Sequence, residues 1–234
     1  MENKTLEKNL TEVVFILDRS GSMGGLEADT IGGYNSMLDK QKQEDGDVLI
    51  STVLFDDQTE VIHDRKNLQD VAPLTDKEYY VRGCTALLDA VGGAIKHINR
   101  VQKELPESER PDKTIFIITT DGLENSSQVY TYDKVKKMVE KKKEKKGWEF
   151  IFMGANIDAI EVANRFGVDK SRAVRFECDN EGTAINYKVM GDIVSRARMA
   201  GSACAMSASF DDKEMLEPAR AHYNKCRRRR GGRA

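Results

Sequence analysis

Proline, histidine and cysteine are all thin in this chain of 234 residues, with four, three and four copies. His63 and His97 are isolated, and neither stands near a Ser or Cys in a way that suggests nucleophilic catalysis. Cys84, Cys178, Cys204 and Cys226 lie far apart and suggest neither a CxxC pair nor a Cys/His metal site, which points to a reducing compartment. Cys84 reads as a small unactivated thiol, with nothing basic beside it to lower its pKa. No GxxxxGK loop is present to cradle phosphates. No apolar run is long enough to span a bilayer, and the opening MENKTLEKNL is too polar for a signal peptide, so a cytoplasmic location is expected. Neither sign of charge dominates: 37 Lys and Arg stand against 39 Asp and Glu, a formal net charge of -2. Nucleic acid is therefore not expected as the main partner.

What the chain does have is a run of β-branched and apolar residues, TEVVFIL, followed at once by DRSGSM. The first reads as a strand buried on both faces. The second places one carboxylate and two hydroxyls, Asp18, Ser20 and Ser22, at alternate positions of a glycine-containing loop. Oxygens so spaced can converge on a hard cation such as Mg2+, although the same residue types also suit helix capping. Two further segments carry oxygens where one element gives way to the next. In GCTALLDAVGGAI, Thr85 precedes the helix-period positions Leu88, Val91, Ala94, Ile95 and Ile98. In KTIFIITTDGLENSS a second apolar strand ends at Asp121 and Gly122. Functional residues of a parallel sheet sit at the carboxyl ends of its strands, so these three loops can meet at one edge.

DxSxS, then Thr, then Asp-Gly, each in this context, resembles the von Willebrand factor A domain family over roughly residues 10 to 200. The likeness is to a stand-alone intracellular member of bacterial or phage type. It implies a metal-ion-dependent adhesion site with Asp18, Ser20, Ser22, Thr85 and Asp121 as ligands. It also implies a Mg2+ cofactor, with Mn2+ or Ca2+ as substitutes, and a protein partner that presents an Asp or Glu to the metal. Gly83, Leu123 and Glu124 are then candidates for partner contact. The implied function is a metal-dependent protein-interaction module rather than an enzyme. A Mg2+-dependent phosphoester hydrolase using Asp121 or Glu124 is the first alternative, and nucleic-acid binding the second.

The remaining segments fill out a doubly wound α/β pattern with a mostly parallel six-stranded sheet. Residues 1–10 read as a polar leader and 26–43 as a helix whose Gly32 and Gly33 suit close packing on the sheet. Strands follow at 48–55 and 59–62, joined through Asp56, Asp57 and Gln58. That hairpin puts the second of them antiparallel at the sheet edge. A short helical piece is expected at 76–80, helices at 86–104 and 131–146, and polar loops at Pro73, Pro106 and Pro111. KKKEKK in the helix of 131–146 reads as a solvated face. A strand from Trp148, a helix at 158–166 with Gly167 behind it, a strand at 173–178 and a helix at 182–199 complete residues 11–200. Beyond Ala200, GSACAMSAS reads as a linker or loosely held strand, 211–225 as a short helix, and RRRRGGRA as a disordered basic tail.

Overall fold

The computed structural model describes residues 9–155, 157–212 and 214–231. The first strand, β1 (Thr11–Asp18), is buried along its whole length and lies at the centre of the sheet. Val13, Phe15 and Leu17 enter the core on one face, Val14 and Ile16 the core on the other. Each such side chain contributes about 1.5–3 kcal/mol on leaving water, and period-two alternation delivers them to both faces equally.

After β1 come α1 (Glu27–Gln41), β2 (Val48–Phe55), β3 (Thr59–Asn67), α2 (Leu87–Glu104), β4 (Lys113–Thr120), α3 (Tyr132–Lys146) and β5 (Glu149–Ala155). The chain continues through α4 (Ala159–Arg165), β6 (Ala173–Phe176), α5 (Asn180–Met199), α6 (Ala203–Ser209) and α7 (Glu217–Gly231). The strand order is β3-β2-β1-β4-β5-β6. All neighbours are parallel except β3, which runs antiparallel to β2 at the edge, as the hairpin reading requires. Helices α1, α5, α6 and α7 cover one face and α2, α3 and α4 the other. A side chain at Gly33 would run into the Tyr187 ring at 2.4 Å, so here the glycine serves the contact of α1 with α5.

Four expectations need correcting. β3 extends to Asn67 instead of stopping at 62, because an edge strand with one face toward water can continue through the polar HDRKN. Residues 76–80 form a single turn, in which the amides of Glu78 and Tyr79 both donate to the Thr75 carbonyl, and the short helix lies earlier as a 3-10 turn at Leu68–Asp70. GSACAMSAS is neither linker nor strand. Ser202 Oγ accepts the Ala205 amide to start α6, and Met206 is completely buried. The last helix begins later and runs further than 211–225, so Arg227 to Arg230 are helical. Arginine is a good helix former, and positive charge is favoured at a helix C-terminus. The leader residues 1–8 and the final 232–234 lie outside the described residues, as does Asn156 of the fifth strand segment.

Candidate metal centre

β1 and β4 are adjacent parallel strands, so their carboxyl ends bring Asp18 and Asp121 to the same edge of the sheet. The 3-10 turn Gly21–Met23 curls the chain after β1 back over that edge. Here Ser20 Oγ and Ser22 Oγ lie 3.2 Å apart, Ser22 Oγ donates to Asp121 Oδ1 at 2.5 Å, and Thr85 Oγ1 donates to Ser20 Oγ at 3.0 Å. Asp18 joins through Oδ1, which accepts the Ser20 amide at 2.7 Å. The five side chains singled out in the sequence thus form one connected cluster of oxygens. Asp18, Ser20, Thr85 and Asp121 are buried, and Ser22 opens the cluster to solvent.

The electrostatics of the cluster are those of a site short of positive charge. Burial pushes Asp18 up to about 6, against the opposing hydrogen bonds of Thr120 and Ser20, and the neighbouring Asp121 adds to the rise. Burial also raises Asp121, against hydrogen bonds from Ser22 and Cys178. Among the described residues neither carboxylate has an ion-pair partner. The adjacent Arg19 does not supply one. Its guanidinium turns away to Asp56 at 2.8 Å and Glu60 at 2.8 Å, and Asp56 is shared with Arg82 at 2.7 Å. Asp56 is therefore a buried ion-pair anchor as well as a turn residue. Two buried carboxylates and three hydroxyls with no cationic side chain between them form a donor set that suits a hard divalent ion.

Several neighbours hold this arrangement. Thr120 Oγ1 donates to Asp18 Oδ2 at 2.5 Å, and Tyr79 OH donates to the Asp18 carbonyl at 2.6 Å. The Thr85 amide donates to Asn125 Oδ1 at 2.9 Å while the Asn125 amide returns a bond to the Thr85 carbonyl at 3.0 Å. A Cβ on Gly122 would stand 2.9 Å from Thr85 Oγ1 and 3.2 Å from Ser22 Oγ, so only glycine lets the three loops close this tightly. Thr120 had a sequence signal in the TTDG string. Tyr79 and Cys178, whose Sγ lies 3.8 Å from Asp121 Oδ2, had none.

The three residues expected to touch a partner differ in placement. Gly83 is exposed, with φ +64°, and its carbonyl accepts the Gly21 amide. Leu123 is 60% exposed beside the oxygen cluster. Glu124 is committed internally: its carboxylate accepts the Leu88 amide at 2.8 Å, the Ser126 and Ser127 amides, and the Ser127 hydroxyl. It caps the start of α2 from 36 residues away. His63 and His97 are elsewhere: His63 Nδ1 lies 3.0 Å from Thr52 Oγ1, and His97 Nε2 lies 2.8 Å from Asp64.

A doubly wound, mostly parallel six-stranded sheet with one antiparallel edge strand is the fold of the von Willebrand factor A domain. Solved structures similar to this one include a von Willebrand factor type A protein from Catenulispora acidiphila (14% identity, TM-score 0.54, 82% of this chain and 43% of that one). Proximal thread matrix protein 1 from the mussel byssus, solved with a zinc-occupied MIDAS motif, matches at 18% identity and TM-score 0.54 over 82% of this chain and 46% of that one. The vWF domain of the type V pili tip protein Mfa5 from Porphyromonas gingivalis matches at 13% identity and TM-score 0.56, over 80% of this chain and 96% of that domain. The alignments span under half the length of the Catenulispora and mussel proteins. No protein-family model matches the sequence, and no curated protein matches it. Among the described residues no helix is long and apolar enough to cross a membrane.

Proposed function

We propose that this chain is a metal-dependent protein-interaction module. Asp18, Ser20, Ser22, Thr85 and Asp121 hold a divalent cation, Mg2+ in the cell, and the cation takes an Asp or Glu side chain of a partner protein. The observation that carries this reading is the convergence of five oxygen-bearing side chains from three separated segments, with two buried carboxylates and, among the described residues, no cationic side chain paired with them. When bound, the ion supplies a strong directional attraction for an anionic ligand. The chain's hydroxyls donate electron density more weakly than carboxylates would, which leaves the ion more attractive to that ligand. Exposed Leu123 and Gly83 flank the opening at Ser22 and offer the partner apolar and backbone contact. The zinc-occupied site in the mussel protein of the same fold supports divalent binding at such an edge.

The test is a pull-down from native lysate in Mg2+, in EDTA, and with Asp121→Ala, followed by direct titration of each captured protein. A partner lost under both controls, whose affinity falls again when its own Asp or Glu is replaced by Asn or Gln, is the expected result. Capture indifferent to both EDTA and Asp121→Ala sinks the reading.

A further inference from the structure

A second cluster of metal-binding groups lies where α7 crosses the start of α5, one residue beyond Cys178, whose Sγ is 3.8 Å from Asp121 Oδ2, and it shares no ligand with the five oxygens. His222 and Cys226 are four residues apart on α7, so both project from one face of the helix. Opposite them is Asp179, the N-cap of α5. One ligand atom from each residue fits within 4.8 Å of the other two. Cys226 Sγ is 3.5 Å from His222 Nε2, and Asp179 Oδ1 is 3.6 Å from the same nitrogen. A tetrahedral zinc ion with Zn–S of about 2.3 Å and Zn–N of about 2.05 Å requires its S and N ligands to stand about 3.6 Å apart. The helix spacing supplies that edge without rearrangement. On the far side of the ring, His222 Nδ1 faces Glu181 Oε1 at 3.7 Å. This is the placement of the carboxylate that orients a metal-binding histidine through its second nitrogen. His222 is itself buried, while Asp179 and Cys226 are half-buried.

We infer that Asp179, His222 and Cys226 form a second cation site, selective for zinc or a similarly borderline ion over Mg2+. The mixture of imidazole, thiolate and carboxylate gives that preference, since Mg2+ favours oxygen alone. Three protein donors leave the fourth tetrahedral position to water. Binding takes the Cys226 thiol to its thiolate and releases the proton to solvent, with no change of oxidation state. Asp179 Oδ1, the oxygen nearest His222 Nε2, also accepts the Gly182 amide at 2.7 Å, and a carboxylate oxygen has a second lone pair to offer the ion. Arg230, one turn beyond Cys226, is paired with Glu177 at 2.5 Å. The consequence is a cross-link between the last helix and the loop that follows β6. His222 and Cys226, four residues apart, were not weighed as a pair in the sequence. The assignment stands independently of the Asp18 and Asp121 cluster.

Cobalt is the probe, because ligation by sulfur gives Co2+ a thiolate charge-transfer absorption that an all-oxygen site does not. Purified, reduced protein is titrated with Co2+ as the wild type and as Asp121→Ala, which weakens the oxygen cluster. Both are expected to develop the sulfur band, saturating at about one equivalent, and to lose it when Zn2+ is added. The band is expected to vanish in Cys226→Ser and in His222→Gln, each checked by circular dichroism for unchanged helix content. In Glu181→Gln it should need about 10–100-fold more Co2+. Absence of the band in the wild type overturns the inference, as does a band that survives Cys226→Ser.

Discussion

At Asp18 burial strips water from the carboxylate while Thr120 and the Ser20 amide favour its charged form, and burial wins, lifting the pKa from 3.8 to about 6. The unfolded chain gives up this proton earlier, so between about pH 4 and 6 the metal-free folded chain binds more protons than the unfolded one. Stability from this group is therefore fully present at low pH and is lost as pH rises through the folded value. A bound cation opposes that loss because it requires the ionised form. The rise in melting temperature produced by Mg2+ is expected to be small near about pH 5 and to grow toward about pH 7.5. Thermal melts at matched ionic strength check it, and an equal rise at both pH values would place the ion elsewhere. Thr120→Val removes the hydroxyl that bonds to Asp18 Oδ2 without changing the side chain's shape. Its expected effect is an affinity for Mg2+ lower by about 10–100-fold, read by calorimetry, with little change in unfolding.

Among the elements, α2 shows how a local pattern can be complete and its ending still hidden. Its apolar period is plain in LLDAVGGAI, and the helix forms at Leu87–Glu104. The groups that satisfy its first amides are Glu124 and Ser127, contributed by the loop after β4. Asp89 in turn accepts the amides of Gln128, Val129 and Tyr130, so the helix start and the loop fasten each other. Glu124→Ala is expected to destabilise the fold by about 0.5–2 kcal/mol, the usual range for a lost cap. That corresponds to roughly 2–4 °C in melting temperature for each kcal/mol at this chain length. An unchanged melting temperature would return Glu124 to the list of partner contacts. At the crossing of α1 and α5, Gly33→Ala puts a methyl group into the Tyr187 ring. Overpacking of this kind costs about 1–3 kcal/mol, measurable by urea unfolding.

Over the whole molecule, the segment after Ala200 belongs to the core that covers one face of the sheet. Met206, Phe210, Met215, Leu216 and Ala219 are all buried there with Val174 and Phe176 of β6. Burial of four side chains of the Met, Leu and Phe class contributes roughly 1.5–3 kcal/mol each, comparable with the entire stability of an ordinary domain of about 5–15 kcal/mol. A chain ending at residue 200 is therefore expected to be insoluble or to melt below the full chain by tens of degrees. A cooperative transition at the full-length temperature would show that α6 and α7 are dispensable. Arg172 reinforces the same join: it pairs with Glu149 of β5 at 3.1 Å and donates to the carbonyls of Phe210 and Ser207 at 2.6 and 2.8 Å.

The strands, the principal helices and the meeting of five oxygen-bearing residues at one sheet edge were legible in the sequence because each rests on a short-range signal. Apolar runs mark β1 and β4, helical period marks α2 and α5, and serines at alternate positions mark the loop after Asp18. What the polar residues next to the cluster meet was not legible. Asp56 turns to Arg19 and Arg82, Glu124 turns to the amides of α2, and Thr120 turns to Asp18. Those choices depend on partners dozens of residues away, which only the folded sheet brings within hydrogen-bonding distance. The small, nearly uncharged GSACAMSAS gave no period strong enough to declare a helix, and its burial against β4 and α5 decided the matter. The same long-range packing set His222 and Cys226 beside Asp179, 43 and 47 residues earlier in the chain. Sequence fixes what a side chain can donate or accept, and tertiary structure decides what it meets.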